Sequence, residues 1–218
     1  MSRLDNLKKQ FAEELYQCGA FKDRGKSPGG NGFQLHRHLT EPDAPLSPYY
    51  LDLAVLRSYP TGAKATAVDI FEEMIEPFDC EILADVPTAI TPVVSSLSDR
   101  TEFPMITPKA PKSYGGGGDI DGVWSSGASV LLFDGVINRA GSILTAAKVL
   151  RAHGLYGLKV RDVFVLIDRE EGGRNNLNAH GLLLHAALSV SELLRLYRDM
   201  DTIPLNIYEE IQAYRFAK

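Results

Sequence analysis

Cysteine is scarce: the 218 residues include only Cys18 and Cys80, far apart and outside any CxxC spacing. That excludes a disulfide framework and makes a reducing cytoplasm the default compartment. Basic residues are outnumbered, Lys+Arg 23 against Asp+Glu 28, for a formal net charge of −5. No broad positive field therefore argues for nucleic acid or an anionic membrane, and an anionic ligand has to find a local site. No stretch nears the ~18 consecutive apolar residues of a membrane span. The opening residues Met1 to Gln10 are charged from the start and lack the apolar core of a signal peptide, so neither secretion nor membrane insertion is expected. What is present is average, with 44% hydrophobic, 23% charged and 9% aromatic residues. That composition excludes disordered and collagen-like chains, and the length fits a single domain, residues 1–218, able to bury a sizeable core.

Leu4, Leu7, Phe11, Leu15 and Cys18 recur at steps of three and four, which predicts an amphipathic helix over residues 2–18. From Phe21 to Pro48 the chain is thick with Gly, Pro, Asn, Asp and Ser, as in Ser27-Pro28-Gly29-Gly30-Asn31-Gly32 and Glu41-Pro42-Asp43-Ala44-Pro45, and reads as a long irregular excursion. Beyond it the pattern alternates. Strands are predicted at Tyr49–Leu53, Glu81–Ala84, Pro104–Ile106, Val130–Phe133, Asp162–Ile167 and Leu182–His185. Helices are predicted at Thr61–Ile75, Ala89–Ser98, Ser142–His153, Ser191–Arg198 and Leu205–Phe216. Strands separated by helices imply an α/β fold with a mainly parallel sheet and right-handed crossovers.

Ligands of open α/β sheets sit beyond the carboxyl ends of the strands, so the residues after each apolar run are the informative ones. The run Val130-Leu131-Leu132-Phe133 is followed by Asp134-Gly135-Val136-Ile137-Asn138-Arg139-Ala140-Gly141-Ser142. An acid ends the strand, a small-residue loop follows, and Ser142 is placed to cap a helix whose first N–H groups face an anion. An ordinary βα turn with Asp134 as a turn residue is the competing reading. Lys109 and Lys112 are either ligands or solvated loop charges, and Arg169 either binds an anion or pairs with Glu170 or Asp168. His36 and His38 have HxH spacing without a third ligand in view, so no metal site is expected from side chains. His180 and His185 read as packing or surface residues, and Cys80 as core.

The segment after Val130 resembles the phosphoribosyl pyrophosphate motif of type I phosphoribosyltransferases. Three further stretches resemble the orotate phosphoribosyltransferase family, notably the form fused into eukaryotic UMP synthase. Pro104 to Gly115, with Gly118-Asp119-Ile120-Asp121-Gly122 after it, is similar to the mobile catalytic loop. Leu166 to Arg174, followed by Leu177-Asn178-Ala179-His180-Gly181, is similar to the orotate segment. Val86-Pro87-Thr88-Ala89-Ile90-Thr91-Pro92 is similar to the pyrophosphate loop, and Ser47 to Leu53 to the first strand.

The resemblance implies a central parallel sheet flanked by helices, with a small hood built from about 19–50 and 168–190. It implies transfer of ribose 5-phosphate from phosphoribosyl pyrophosphate to orotate, with Mg²⁺ carried mainly on the donor's pyrophosphate. On that basis Asp134 accepts hydrogen bonds from ribose hydroxyls. The loop Asn138, Arg139, Ala140, Gly141 and Ser142 holds the 5-phosphate. Lys109 and Lys112, with Tyr114 beside them, close over the pyrophosphate. Thr88 and Ala89 form the pyrophosphate loop, and Arg169 pairs with the orotate carboxylate. A homodimer is also implied, since in the relatives the mobile loop reaches the neighbour's site.

Departures from the family pattern bear on turnover. Gly135 replaces the second acid, Asn138 the threonine, Arg139 the next hydroxyl residue, Ala140 the glycine and Pro108 the loop's leading arginine. Tyr114 stands where bacterial enzymes have histidine. Each lost hydrogen bond to a charged group costs about 1.5 to 3 kcal/mol, which is ~10- to 100-fold in rate or affinity. Arg139 offers a new phosphate contact. Two classes of function follow: an orotate phosphoribosyltransferase with an altered donor site, or a non-catalytic member that binds a phosphorylated ligand as sensor or subunit partner.

Overall fold

The structure, a computed structural model, describes residues 2–109, 118–152 and 157–216, the side chains of His36, Arg37 and Phe216 aside. Helix α1 (Arg3–Gln17) begins in a capping box: Ser2 Oγ accepts from Asp5 N at 3.1 Å, and Asp5 accepts from Ser2 N at 2.9 Å. Its buried face, Phe11, Ala12 and Leu15, is the one set by the three- and four-residue steps.

The excursion that follows is not wholly irregular. Its start forms β1 (Phe21–Asp23), which pairs antiparallel with β2 (Tyr49–Leu51) in the register Phe21↔Leu51 and Asp23↔Tyr49. The expectation that Tyr49–Leu53 opens the parallel sheet is therefore corrected: this strand belongs to a separate two-stranded sheet. Its partner precedes it by a long loop, a non-local pairing that local pattern does not reveal. Farther up the loop, Phe33 and Ser47 exchange backbone hydrogen bonds of 2.7 and 2.9 Å and close the excursion a second time.

The main sheet has six strands. They are β3 (Ile82–Asp85), β4 (Met105–Pro108), β5 (Ile120–Asp121), β6 (Ser129–Ile137), β7 (Lys159–Asp168) and β8 (Leu183–Ser189), in the spatial order β5-β4-β3-β6-β7-β8. All neighbours run parallel except β4 and β5. The central pair β6 and β7 is buried on both faces, which is why both read as continuous apolar runs instead of alternating ones.

Helices cover both faces. On one side α1, α2 (Ala63–Ile75), α3 (Thr91–Thr101), α6 (Val190–Asp199) and α7 (Leu205–Phe216) enclose a core containing Phe71, Phe133, Phe164 and Tyr197. Phe133 meets Phe71 edge-on at 4.9 Å and stacks with Phe164 at 5.4 Å. On the other side α4 (Gly141–Arg151) and α5 (Gly173–Ala179) pack over Leu132, Val163 and Val165. Residues 21–51 thus carry the two-stranded sheet, and β8 is an edge strand of the six-stranded one. Among the described residues, no helix is long and apolar enough to cross a membrane.

Candidate active site

Parallel alignment brings the ends of β3, β4, β6 and β7 to one edge of the sheet. There a cavity of about 480 Å³ opens between the end of β6, the start of α4 and the excursion. Strand β6 does not stop at its acid. It continues three residues to Ile137, so Asp134 lies within the strand, a correction to the reading that an acid ends it. Register pairs Val136 with Ile167 and Ile137 with Asp168, and the ladder holds the extension in place. Asp134 faces the cavity, and the next residue turns the other way. A Cβ at Gly135 would lie 3.0 Å from Leu53 Cδ1, inside the core. The missing second acid thus sits at a position that packs on Leu53.

Burial raises the Asp134 carboxyl to about 7. The Gly135 N–H, which donates to Oδ1 at 2.7 Å, pulls the other way, and the charge of Asp85 adds to the rise. Asp85 itself is fully buried at the end of β3 and accepts from the hydroxyls of Thr91 and Thr107. Sequence reading passed over Asp85, although the rule that found Asp134, the residue closing an apolar run, applies equally to Ile82-Leu83-Ala84-Asp85.

The loop leads into α4 by an unexpected route. Ser142 does not cap the helix: the N-cap is Ala140, left-handed at φ 67° and ψ 13°, with no side-chain cap. A glycine takes that conformation freely and an alanine at a cost, which gives a physical reason for glycine in the family pattern. The first intrahelical bond is Leu144 N to Ala140 O at 2.9 Å, so the N–H groups of Gly141, Ser142 and Ile143 lead it at the cavity wall. Asn138 also lines the cavity, and its Oδ1 is buried with no partner among the described residues. Arg139 lies at the same wall. Its carbonyl accepts from Asn176 Nδ2 at 2.9 Å, and its Nη1 lies 3.5 Å from Glu41 Oε1.

The other expected residues lie around the same edge. Thr88 and Ala89 form the turn after β3, where Arg57 Nη2 donates to Thr88 O at 3.0 Å; neither lines the cavity. Lys109 follows β4, its N–H donating to Asp119 O at 2.8 Å and its ammonium paired with Asp121. Lys112 and Tyr114, with Gly115 to Gly117, lie outside the described residues. Arg169 is buried, 3% exposed, instead of open to the cavity. Its guanidinium lies 4.5 Å from the Tyr49 ring centroid, its Nε donates to Glu171 Oε1 at 3.2 Å, and its Nη2 reaches Ser47 Oγ at 3.4 Å. Its partner is thus neither Glu170 nor Asp168. Glu171, which lines the cavity, and Leu35 and Thr40 of the excursion were not singled out from sequence.

A parallel sheet with an acid inside its central strand, followed by a loop and an uncapped helix start, is the arrangement that the resemblance to type I phosphoribosyltransferases leads one to expect. No protein-family model matches the chain. It is 31% identical to the orotate phosphoribosyltransferase of Cenarchaeum symbiosum over 171 residues, 77% of this chain and 84% of that one. It is 32% identical to bovine uridine 5'-monophosphate synthase over 217 residues, 98% of this chain but 42% of that longer protein. The fold matches the UMP synthase of Leishmania donovani with a TM-score of 0.81 at 23% identity, over 96% of this chain and 42% of that one. The chain belongs to the orotate phosphoribosyltransferase family.

Proposed function

We propose that the chain transfers the 5-phosphoribosyl group from phosphoribosyl pyrophosphate to orotate, giving orotidine 5'-phosphate and pyrophosphate. The bond from the ribose C1 to the pyrophosphate oxygen breaks, the bond to orotate nitrogen forms, and that nitrogen loses its proton. The observation that carries the reading is the cavity holding Asp134 opposite the α4 N-terminus, in a chain of this family.

In this reading the N–H groups of Gly141, Ser142 and Ile143 hold the 5-phosphate at the positive end of α4, with Asn138, Arg139 and Ala140 completing the loop. Asp134, ionised, accepts from ribose hydroxyls and favours the positive charge that develops on the ring. Lys109 leaves Asp121 to meet the pyrophosphate, and Lys112, Tyr114, Thr88 and Ala89 take the pyrophosphate-binding roles that the family resemblance gives them. Arg169 exchanges Glu171 for the orotate carboxylate. Mg²⁺ supplies charge neutralisation on the leaving pyrophosphate, with Asp134 the cavity carboxylate suited to its side of the ribose. The same reading carries a homodimer and, with two isolated thiols at Cys18 and Cys80, a cytoplasmic setting.

The test is orotate absorbance in a mixture of purified protein, phosphoribosyl pyrophosphate and Mg²⁺. Orotate loss matched by pyrophosphate release, and lost with Lys109→Ala, is expected. No orotate consumed at millimolar donor would overturn the reading.

A further inference from the structure

We propose that Glu41 is a built-in competitor for the donor's phosphate, occupying the Arg139 guanidinium that the phosphate takes and leaving it when the donor binds. This rests on the placement of the 5-phosphate at the loop before α4.

The charge balance of the cavity points this way. Among the described residues that line it, Arg139 is the cationic side chain, alongside the acids Asp134 and Glu171. A phosphate held by the α4 N–H groups gains from that cation, and Glu41 already stands 3.5 Å from it. The base of Arg139 is fixed: Asn176 holds its carbonyl at 2.9 Å, and α5 presses so closely that a Cβ at Gly173 would meet Asn138 O at 2.5 Å. Its tip is not fixed, since the Arg139 and Glu41 side chains are 58% and 50% exposed. A solvated pair of that kind is weak, and a phosphate in charge-assisted contact with a guanidinium outcompetes it.

The competitor is also well placed. Glu41 follows Thr40, which with Leu35 lines the cavity, and the Phe33 to Ser47 pairing fixes both ends of their segment. The pairing brings both ends of the segment to one place and so limits how far Glu41 ranges from Arg139.

The test is calorimetric titration of the full chain with inorganic phosphate, and separately with phosphoribosyl pyrophosphate and Mg²⁺. Wild type, Glu41→Gln, Arg139→Ala and the double variant are compared. Glu41→Gln tightens both ligands roughly two- to fivefold, the range of an exposed ion pair. Arg139→Ala weakens both by about tenfold or more, and on that background Glu41→Gln changes nothing. Unchanged or weaker binding by Glu41→Gln overturns the proposal. So does an equal gain in the Arg139→Ala background, which would mark a general charge effect, and so does a wild type that binds neither ligand at millimolar concentration. A wild type that follows the expected pattern yet consumes no orotate leaves Glu41 as a competitor and ends the transferase reading alone.

Discussion

In the proposed reading the partly buried carboxyl of Asp134 makes the donor step depend on pH near neutrality. Its pKa rises from 3.8 to about 7, chiefly through burial, with the charge of Asp85 adding to the rise. In that reading the ionised form, acceptor-only, is the one that holds both ribose hydroxyls well. The competent fraction is then about nine tenths one unit above the pKa and about one tenth one unit below it, so donor kcat/KM falls roughly tenfold across that window. The assay is initial velocity at subsaturating donor between pH 5.5 and 8.5. Asp134→Asn serves as the control, because a break surviving in it belongs to the donor's own phosphate. Asp85→Asn removes a neighbouring negative charge and moves the break to lower pH. Stability runs the other way from activity. The folded protein holds a proton that the unfolded chain gives up at 3.8, so this contribution is complete below that pH and is lost as pH rises through about 7. Asp134→Asn flattens the dependence over the same interval. A wild-type profile identical in shape to that of Asp134→Asn would refute the reasoning.

Three further outcomes follow from the loop and its packing. Ala140→Gly relieves a left-handed alanine and raises stability in denaturant by several tenths to about 1 kcal/mol, less than the full strain because glycine gains freedom when unfolded; a lower midpoint would contradict it. Gly173→Ala places a Cβ 2.5 Å from Asn138 O and 2.6 Å from Ile137 Cγ1, costing about 1 to 3 kcal/mol in thermal or chemical unfolding and raising donor KM as the loop shifts. Gly135→Asp, which restores the family's second acid on paper, sends the side chain against Leu53; it loses stability and gains no kcat, and a faster enzyme would show that the strand turns differently in solution.

The elements that sequence made legible are those with strong local signals. The apolar runs of β6 and β7 and the stepped face of α1 identify themselves, and Ser189 with Glu192 caps α6 reciprocally through bonds of 3.1 and 2.7 Å. Elements that depend on distant partners were not legible. Phe21-Lys22-Asp23 becomes a strand only because Tyr49–Leu51 returns beside it. No helix is predicted between 153 and 191, yet Gly173–Ala179 forms α5, anchored by the buried Leu177 and packed on the end of β6. The motif residues Asp134, Asn138, Arg139, Ala140, Gly141 and Ser142 come together along one cavity. Sequence reading misjudged the helix start because a left-handed alanine is a rare choice that no propensity favours. Glu171, Leu35, Thr40 and Glu41 come together with the motif only through the tertiary path of the excursion.

That excursion is tied off twice at its base, by β1 against β2 and by Phe33 against Ser47, with Asp52 N bonded to Ala20 O at 2.8 Å beyond them. Its base is therefore closed by its own backbone bonds, while Leu35, Thr40 and Glu41 along its span still reach the cavity and Arg139. Doubling a loop closed in this way adds only about 0.6 kcal/mol of closure entropy, so a longer segment between the ties leaves the sheet intact and alters the cavity wall instead. That segment is thus the natural place for relatives of this chain to diverge in length. A small fluorescent label carried at the exposed Asp43 would sit two residues from Glu41 and outside the core, where it could report the filling of the cavity as a change in signal.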